Sequence, residues 1–576
     1  MSVLRNNFFI NTFLFAALIW ISPETKAAES SQVTIFVAKE IITLNASNLI
    51  VEAVAVQGSE IIKVGSQKEL LEMYPSANTT FEYEDEIIIP GFIEHHIHPF
   101  LAAVTMNSEI IAIDDWQLPS KISKGVQDRA NYLTRLKTAE INLSENQPLI
   151  SWGFHHYFHG RLTKDDLDKI SLTRPIIIIH RSFHEFILNT PAMKLLGIRQ
   201  EAFPDIGEES HLANFDEGHF SERGAMLVLP NLMRVLAVPQ KIIIGLNKTK
   251  DYLYSNGITV IGNPGSMYNK NLQAAKNLTF GSLNTQFESY FFPSALNLVE
   301  QFETNEILDA AREQISWGAG KLSFLPKHIK LFTDGAMYSQ NMVMRDGYLD
   351  GHEGSWLMDG KTYSDLFKIF WDDGYQIHIH QNGDAGLDRL LNNLEQNMLS
   401  NPREDHRTTV VHFGYSAKDQ LAKIKELGAV ISANPYYVTA LSDLYSRKGV
   451  GYERSQEMVR LGDAIKEDIT VALHSDMPMA PASPLLLMHS AVNRNNLAGK
   501  VSGPEQRISA VDALRAVTIN AAYVLRLEKT YGSIEVGKFA NFTILAKNPL
   551  TVDPLDIKDI QVIGTVVKGV QHSQQR

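Results

Sequence analysis

The chain contains no cysteine among its 576 residues. Disulfide bonds are therefore excluded, and so is every metal site that uses thiolate ligands. Any metal must be held by histidine, aspartate, glutamate or a modified side chain. Positive charge is also scarce, because 53 lysines and arginines stand against 65 aspartates and glutamates, a formal net charge of −12. We therefore expect a small-molecule substrate and no nucleic acid as a partner.

The sequence has no internal repeat and no low-complexity tract, and after its first 30 residues it has no apolar run of the roughly 20 residues that a membrane-spanning helix needs. Its 44% hydrophobic and 20% charged residues are typical of a globular protein. The length fits one large barrel with attachments, or two to four ordinary domains. The oligomeric state stays open, with a homodimer as one alternative.

The N-terminal segment has the layout of a signal peptide. Arg5 precedes an apolar run at residues 8–21, and residues 25–27 suit cleavage after Ala27. The run is short for a membrane span, so an uncleaved anchor is the weaker alternative. We predict a signal peptide at residues 1–27 and a bacterial protein that is periplasmic or secreted, without membrane contact after the signal is removed.

The remaining chain reads as an α/β protein with β segments at both ends. Alternating segments rich in Val, Ile and Thr predict strands within residues 33–88 and 531–571, which could pair into one composite β-sandwich. Between them, eight apolar runs alternate with helical patterns, which predicts a (β/α)₈ TIM barrel over residues 89–530. The interval at about 100–250 is too long for one crossover and is predicted to be an insert after strand one. The eight runs are residues 87–98, 257–263, 285–292, 328–336, 375–384, 408–415, 429–437 and 469–478.

Polar residues collect where these predicted strands end, which is where a TIM barrel carries its active site. The first run ends in His96-Ile97-His98, and strand alternation would turn both imidazoles inward and His95 outward. Lys330, His380, His412 and Asp476 stand near the ends of runs four, five, six and eight. An isolated H-x-H could equally be a strand end with packing histidines. The prediction of a site therefore depends on the other polar residues that stand at neighbouring strand ends.

Four histidines with an aspartate and a lysine suit a divalent metal such as zinc, with one or two ions per chain. The Lys330 amine can react with carbon dioxide to form a carbamate, whose two oxygens could bridge a second ion. The alternative is a strand lysine that extends to solvent. Asp476 would be the general base that takes a proton from a metal-activated water, although it could also be a helix N-cap.

Several separate stretches resemble the metal-dependent amidohydrolase superfamily, in the branch that includes N-substituted formamide deformylase. They are PGFIEHHIHP (90–99), IKLFTDGAMYS (329–339), HQNGDAGLD (380–388), ALHSDMPMAPASPL (472–485) and the tail at 513–545. The resemblance implies a (β/α)₈ barrel with a composite β-sandwich. It implies hydrolysis of a carbon–nitrogen bond, usually an amide, outside ordinary peptides.

The resemblance also implies roles for individual residues. It implies metal ligation by His96, His98, His380 and His412, a carboxylated Lys330, and Asp476 as the catalytic acid/base. His184 sits where relatives have a histidine in Gly-His, so it is expected to contact substrate.

Three features depart from the family pattern or stand outside it. Glu94 precedes His95, where the family more often has a small residue, and His474 replaces the usual glycine before Ser-Asp. We take His474 and Trp152 as weaker substrate-binding candidates, with a core position as the alternative for Trp152. The insert carries further histidines in FHH (154–156) and HRSFH (180–184), which we interpret as surface or packing residues, His184 excepted.

Three activities remain open at this point. The first is an exported, metal-dependent amidohydrolase. The second is the same fold acting as a lactonase, an esterase or another hydrolase, whereas deamination is disfavoured by Lys330 and by the absence of a glutamate shortly after His380. The third is a non-catalytic binding protein, which the intact set of polar strand ends argues against.

Overall fold

The structure is a computed structural model that describes residues 32–204 and 207–574. The predicted signal peptide lies outside the described residues. No single helix of the described ranges is long and apolar enough to cross a membrane, and two consecutive helices, Arg223–Leu236 and Pro239–Ser255, meet that criterion only as a pair bent by 88°.

The described strands are short, and most of them belong to four sheets. In chain order they are β1 (Val33–Ile42), β2 (Ile50–Gln57), β3 (Glu60–Gly65), β4 (Asn78–Pro90), β5 (Phe92–Glu94), β6 (Glu109–Ile110), β7 (Trp116–Leu118), β8 (Lys121–Ser123), β9 (Leu149–Phe154), β10 (Ile176–His180), β11 (Glu185–Leu188), β12 (Ala213–Asn214), β13 (His219–Ser221), β14 (Ile258–Ser266), β15 (Glu288–Pro293), β16 (Leu322–Phe324), β17 (His328–Phe332), β18 (Gln376–Gln381), β19 (Thr409–His412), β20 (Val430–Ala433), β21 (Val471–Leu473), β22 (Phe542–Leu545), β23 (Val562–Val567) and β24 (Val570–Ser573).

Helices connect most of the strands in the central part of the chain. In chain order they are α1 (Gln67–Met73), α2 (Pro99–Met106), α3 (Arg129–Asn142), α4 (His156–His159), α5 (Lys164–Asp168), α6 (Thr190–Leu196), α7 (Arg223–Leu236), α8 (Pro239–Ser255), α9 (Lys270–Thr279), α10 (Ala295–Val299), α11 (Ile307–Ile315), α12 (Gly360–Asp372), α13 (Asp384–Ser400), α14 (Lys418–Glu426), α15 (Tyr436–Lys448), α16 (Tyr452–Gln456), α17 (Leu461–Lys466), α18 (Pro484–Asn493), α19 (Ala510–Ala516) and α20 (Ile519–Val524).

Each of the eight apolar runs predicted as strands overlaps a strand of two parallel sheets, which also include β16, a short strand that was not predicted. One sheet has the order β16-β15-β14-β5 and the other β17-β18-β19-β20-β21. Two isolated parallel bridges join the sheets, one between Ser294, just after β15, and Lys330 in β17, and one between Ile97 and Met477, beyond β5 and β21. The runs are nearly continuous in apolar residues because parallel strands are buried on both faces.

The strands from the two ends of the chain form one seven-stranded sheet, with the order β24-β23-β22-β4-β1-β2-β3. β22 pairs antiparallel with β4, so the C-terminal strands extend the N-terminal sheet. The pairing of the two termini is therefore observed, whereas the β-sandwich stays a prediction.

The region between β5 and β14 has a sheet of its own, with the order β12-β13-β11-β10-β9-β6. Its β10 contains four consecutive isoleucines, and all of its residues are buried. Arg181 follows β10 and donates through Nε to the carbonyl of Met479 at 2.8 Å, just beyond β21. This contact fixes the inserted sheet close to the strand ends of the central sheets.

Some helices around the central sheets bury a single apolar stripe, whereas α2 and α18 are buried over most of their residues. In α13 the buried leucines are Leu387, Leu390, Leu391 and Leu394, a spacing that places them on one helix face. Such packing leaves the strand ends free to carry polar side chains.

Candidate metal centre and its cavity

Asp476 lies at the centre of a group of buried histidines beyond the end of β21. Its Oδ1 is 3.3 Å from Nε2 of His96 and 3.1 Å from Nε2 of His98, and its Oδ2 is 3.7 Å from Nδ1 of His412. Backbone hydrogen bonds hold the two chain segments together, from the Asp476 amide to the His96 carbonyl and from the His98 amide to the Met477 carbonyl. The structure therefore brings together residues that are almost 400 positions apart.

The backbone at two of these residues is unusual. Asp476 has a φ of 60° and His412 a φ of 75°, in the left-handed region that side chains other than glycine rarely adopt. Such conformations cost of the order of 1–3 kcal/mol each and cluster at functional sites. The surrounding contacts must hold them in place.

His95 is buried inside the same group, whereas strand alternation predicted that it would point outward. The alternation rule fails here because β5 ends at Glu94, one residue before the histidines. Nε2 of His95 lies 2.6 Å from Oγ of Ser432, and that hydroxyl lies 2.9 Å from Nδ1 of His474. Nε2 of His474 is in turn 3.1 Å from Nδ1 of His412. A continuous hydrogen-bonded chain therefore links His95 to His412.

Lys330 in β17 does not reach solvent, so the reading of a solvent-extended strand lysine is wrong. The residue is 1% exposed, and its Nζ has no hydrogen-bond partner. Burial lowers the pKa of the amine to about 7. A neutral amine is the form that can react with carbon dioxide, so the environment suits a carbamate at this position.

His380 in β18 lies beside His412, with ring centroids 4.5 Å apart. The side-chain amide nitrogen of Asn382 lies 3.0 Å from Nε2 of His380. Nδ1 of His380 is therefore the ring nitrogen that remains available as a metal ligand. Burial is the largest cause that keeps the pKa of both imidazoles well below the usual value. Both rings are therefore neutral, the form in which histidine binds metals.

The donor set fits a divalent metal ion. His96, His98 and Asp476 each offer a ligand atom within 4.8 Å of the others, and so do His96, His412 and His474. Nζ of Lys330 is buried without a hydrogen-bond partner. Nε2 of His96 and Oδ1 of Asp476 are also buried, and although they approach each other to 3.3 Å, neither atom makes a hydrogen bond. Unsatisfied buried polar atoms are costly, so their clustering indicates a missing cation partner.

A cavity of about 240 Å³ opens onto this group. His98, Lys330, His380, His412 and Asp476 lie at its polar end. The remaining wall is mainly apolar and rich in methionine, including Phe100, Phe186, Leu229, Met233, Met267 and Phe332. This lining favours a ligand with an apolar part whose reactive group reaches the polar end.

His184 also lines the cavity, and Glu222 holds it in place. Its Nδ1 is 2.9 Å from Oε2 of Glu222, whose Oε1 accepts a 2.6 Å hydrogen bond from Nδ2 of Asn341. Burial acts to lower the pKa of His184, but the Glu222 carboxylate outweighs it, so the pKa is raised overall. The Glu222 carboxylate therefore favours the protonated form of His184, which can donate hydrogen bonds on the cavity wall.

The other two substrate candidates lie away from the cavity surface. Trp152 is fully buried in the core of the inserted sheet, where its ring meets Trp116 edge-on at 5.1 Å. His474 is fully buried behind the cavity and stacks on His96 at 4.5 Å. The structure therefore gives His474 a place beside the candidate ligands.

Three further residues at the site have roles that the sequence pattern did not predict. Glu94 is buried and accepts from the Ser475 amide, and burial raises its pKa to about 8. Ser432 connects His95 to His474, and Glu222 orients His184. The sequence showed Glu94 only as the acid that precedes the unusual His95, and it did not mark Ser432 or Glu222, because their roles depend on partners that are distant along the chain.

Comparisons with known proteins agree with this geometry. The Amidohydrolase family model matches residues 84–572. The N-substituted formamide deformylase of Arthrobacter pascens is 24% identical over 545 residues, with 92% of this chain and 96% of that protein covered. The protein LONG AFTER FAR-RED 3 of Arabidopsis thaliana is 24% identical over 548 residues, with 92% and 90% covered.

The fold is also similar to solved structures. The crystal structure of an uncharacterized metal-dependent hydrolase from Pyrococcus horikoshii OT3 aligns with a TM-score of 0.69 and 19% identity, covering 91% of this chain and 99% of that one. Together with the match over most of the sequence, the strand order and the group of histidines with Asp476, this confirms the resemblance seen in the sequence: the chain belongs to the Amidohydrolase family.

Proposed function

We propose that this protein is an exported, metal-dependent amidohydrolase that cleaves a carbon–nitrogen bond of an amide outside ordinary peptides. The proposal includes a closed (β/α)₈ barrel with a composite β-sandwich. The isolated bridges at residues 97 and 477 and at residues 294 and 330 support closure of the barrel. The layout of residues 1–27 supports export to the periplasm or the medium.

One observation carries the metal-dependent part of the proposal. Three atoms, Nζ of Lys330, Nε2 of His96 and Oδ1 of Asp476, are buried at the polar end of the cavity without a hydrogen-bond partner. In the proposed enzyme His96, His98, His380 and His412 hold one or two divalent ions, with zinc as the expected metal, and Lys330 is carboxylated. A bound ion supplies Lewis-acid polarisation of the carbonyl and lowers the pKa of water at the site.

Asp476 performs the proton transfers. Its carboxylate accepts a proton from water as the water oxygen bonds to the carbonyl carbon, and it returns that proton to the leaving nitrogen as the carbon–nitrogen bond breaks. The products are a carboxylic acid and an amine. His184, held by Glu222, donates a hydrogen bond to the polar part of the substrate, and the apolar wall binds an apolar substituent.

The replacement Asp476→Asn tests the role of this carboxylate. The amide is isosteric but cannot accept the proton, so we expect kcat to fall by about 10²- to 10⁴-fold while the metal content is unchanged. Asp443→Asn is the matched control, because Asp443 pairs with Arg447 on α15, away from the cavity. Activity of Asp476→Asn within a few-fold of the wild type would exclude Asp476 as the acid/base.

The bond that is cleaved is tested by matched substrates. N-formyl and N-acyl amines that carry apolar substituents are compared with lactones and esters of the same carbon skeleton. We expect the amides to give the larger kcat/KM. A preference for the lactones or esters would replace the amidase proposal with a lactonase or esterase on the same site. No turnover of any pair by metal-loaded enzyme would favour a non-catalytic binding protein.

A further inference from the structure

A second group of histidines lies in the inserted sheet, outside the cavity described above. His155 follows β9, His156 begins α4, and His180 ends β10. One ring nitrogen of each lies within 4.8 Å of the others. The ring centroids are 5.2 Å apart for His155 and His156, 5.3 Å for His155 and His180, and 5.8 Å for His156 and His180. This spacing is close to that of His96 and His412, which are 5.0 Å apart.

Two of these imidazoles are buried and lack a partner for one nitrogen. His155 and His180 are fully buried, and Nε2 of each has no hydrogen-bond partner. Aromatic packing alone would explain neither the convergence of the ring nitrogens nor two unsatisfied polar atoms side by side. A cation that accepts both lone pairs would satisfy them.

Neighbouring residues provide outer contacts of the kind that orient metal-binding histidines. Nδ1 of His180 lies 2.8 Å from Oγ of Ser182 and 3.2 Å from the Ser182 amide nitrogen. A ligand at Nε2 of His180 places the proton on Nδ1, which then donates to the hydroxyl and loses the amide contact. Nδ1 of His155 receives a contact from the Tyr157 amide at 3.3 Å, longer than the usual range for such bonds. A ligand at Nε2 of His155 places the proton on Nδ1, so this weak contact is the one lost.

The group also has an entrance and a counter-charge. His156 and Glu185 line a surface cleft together with His219 and Glu217. Glu185 follows His184 directly, but it lines this cleft and not the substrate cavity. Its Oε1 accepts from Nε2 of His219 at 2.8 Å.

We propose that His155, His156 and His180 bind a divalent transition-metal ion of the zinc class, separate from the ions at the barrel strand ends. Glu185 balances the charge of this ion, and the cleft leaves a fourth position open to water. The ion joins the start of α4 to the end of β10, so its role is structural. Its existence does not depend on the proposed hydrolysis.

Metal stoichiometry tests this proposal. Full-length mature protein is stripped with a chelator, reloaded with Zn²⁺ alone, freed of excess ion, and analysed for zinc per chain. We expect the single variant His156→Gln, at a partly buried position, and the double variant His155→Gln/His180→Asn each to hold one ion fewer than the wild type. His572→Gln, which removes an imidazole from β24, should hold as many ions as the wild type.

Two further measurements separate this site from the barrel and from misfolding. In a Lys330→Ala background, adding His156→Gln should still remove one ion, because the two sites share no ligand. Circular dichroism identifies a variant that fails to fold. If the double variant fails to fold, the zinc content of the single variant His156→Gln tests the proposal. Equal zinc content in wild type and folded His156→Gln would overturn the proposal and leave the three histidines as packing residues.

Discussion

The buried ion pair between Arg181 and Asp114 lies within the insert, next to contacts with Tyr436 and Met479 of the central part of the chain, and its removal gives the sharpest stability prediction. Arg181 donates through Nη1 and Nη2 to the two carboxylate oxygens of Asp114 at 2.6 and 3.0 Å. The Tyr436 hydroxyl donates to the same carboxylate. The guanidinium also lies 5.0 Å from the ring centroid of Tyr338. Arg181 is fully buried and Asp114 is 6% exposed.

The replacement Arg181→Met keeps much of the side-chain volume. It removes the two hydrogen bonds from Arg181 to Asp114 and the one from Arg181 to the Met479 carbonyl. Asp114 then keeps its charge in a buried position with one hydroxyl as its main partner. Breaking a buried pair in this way costs about 3–5 kcal/mol, because the remaining charge is uncompensated. We expect the free energy of unfolding, measured in urea by tryptophan fluorescence, to fall by that amount.

Two further variants test the cause of the loss. Arg181→Met combined with Asp114→Asn removes the orphaned charge, so the double variant should be more stable than Arg181→Met alone. Arg447→Met breaks a surface pair with Asp443 and should cost only about 0–1 kcal/mol. If Arg181→Met were within about 1 kcal/mol of the wild type, the reasoning from buried charge would be refuted.

Two other perturbations address the site. Lys330→Ala should remove at least one metal ion per chain, measured by elemental analysis. Lys276→Ala is the control and should not change the metal content, because Lys276 is also a buried lysine whose pKa burial lowers to about 7. Unchanged metal content in Lys330→Ala would contradict a bridging carbamate. Because the pKa of His184 is raised, the His184–Glu222 pair stabilises the fold below pH 6.5, and that contribution is lost as the pH rises through the raised value. Glu222→Gln should therefore destabilise the protein more at pH 6 than at pH 9, and the reverse order would contradict the pairing.

Much of the strand pattern could be predicted from the sequence, because buried strands are made almost entirely of apolar residues. The strands of the two parallel sheets have both faces covered, so they appear as apolar runs between helical segments. The pairing of the termini followed from strands of similar composition at both ends. The orientation of His95 could not be predicted, because alternation holds only within a strand and β5 ends at Glu94.

The sequence by itself determined which ligands are available, since a chain without cysteine and with histidines at its strand ends can hold a metal only through nitrogen and oxygen. It also identified the family, because several separate motifs agree. Only the tertiary structure decided that Lys330 is buried without a partner, that Ser432 joins His95 to His474, and that His155, His156 and His180 converge. These facts are distances between side chains on different elements, and such distances are set by how the elements pack rather than by the periodicity of any one of them.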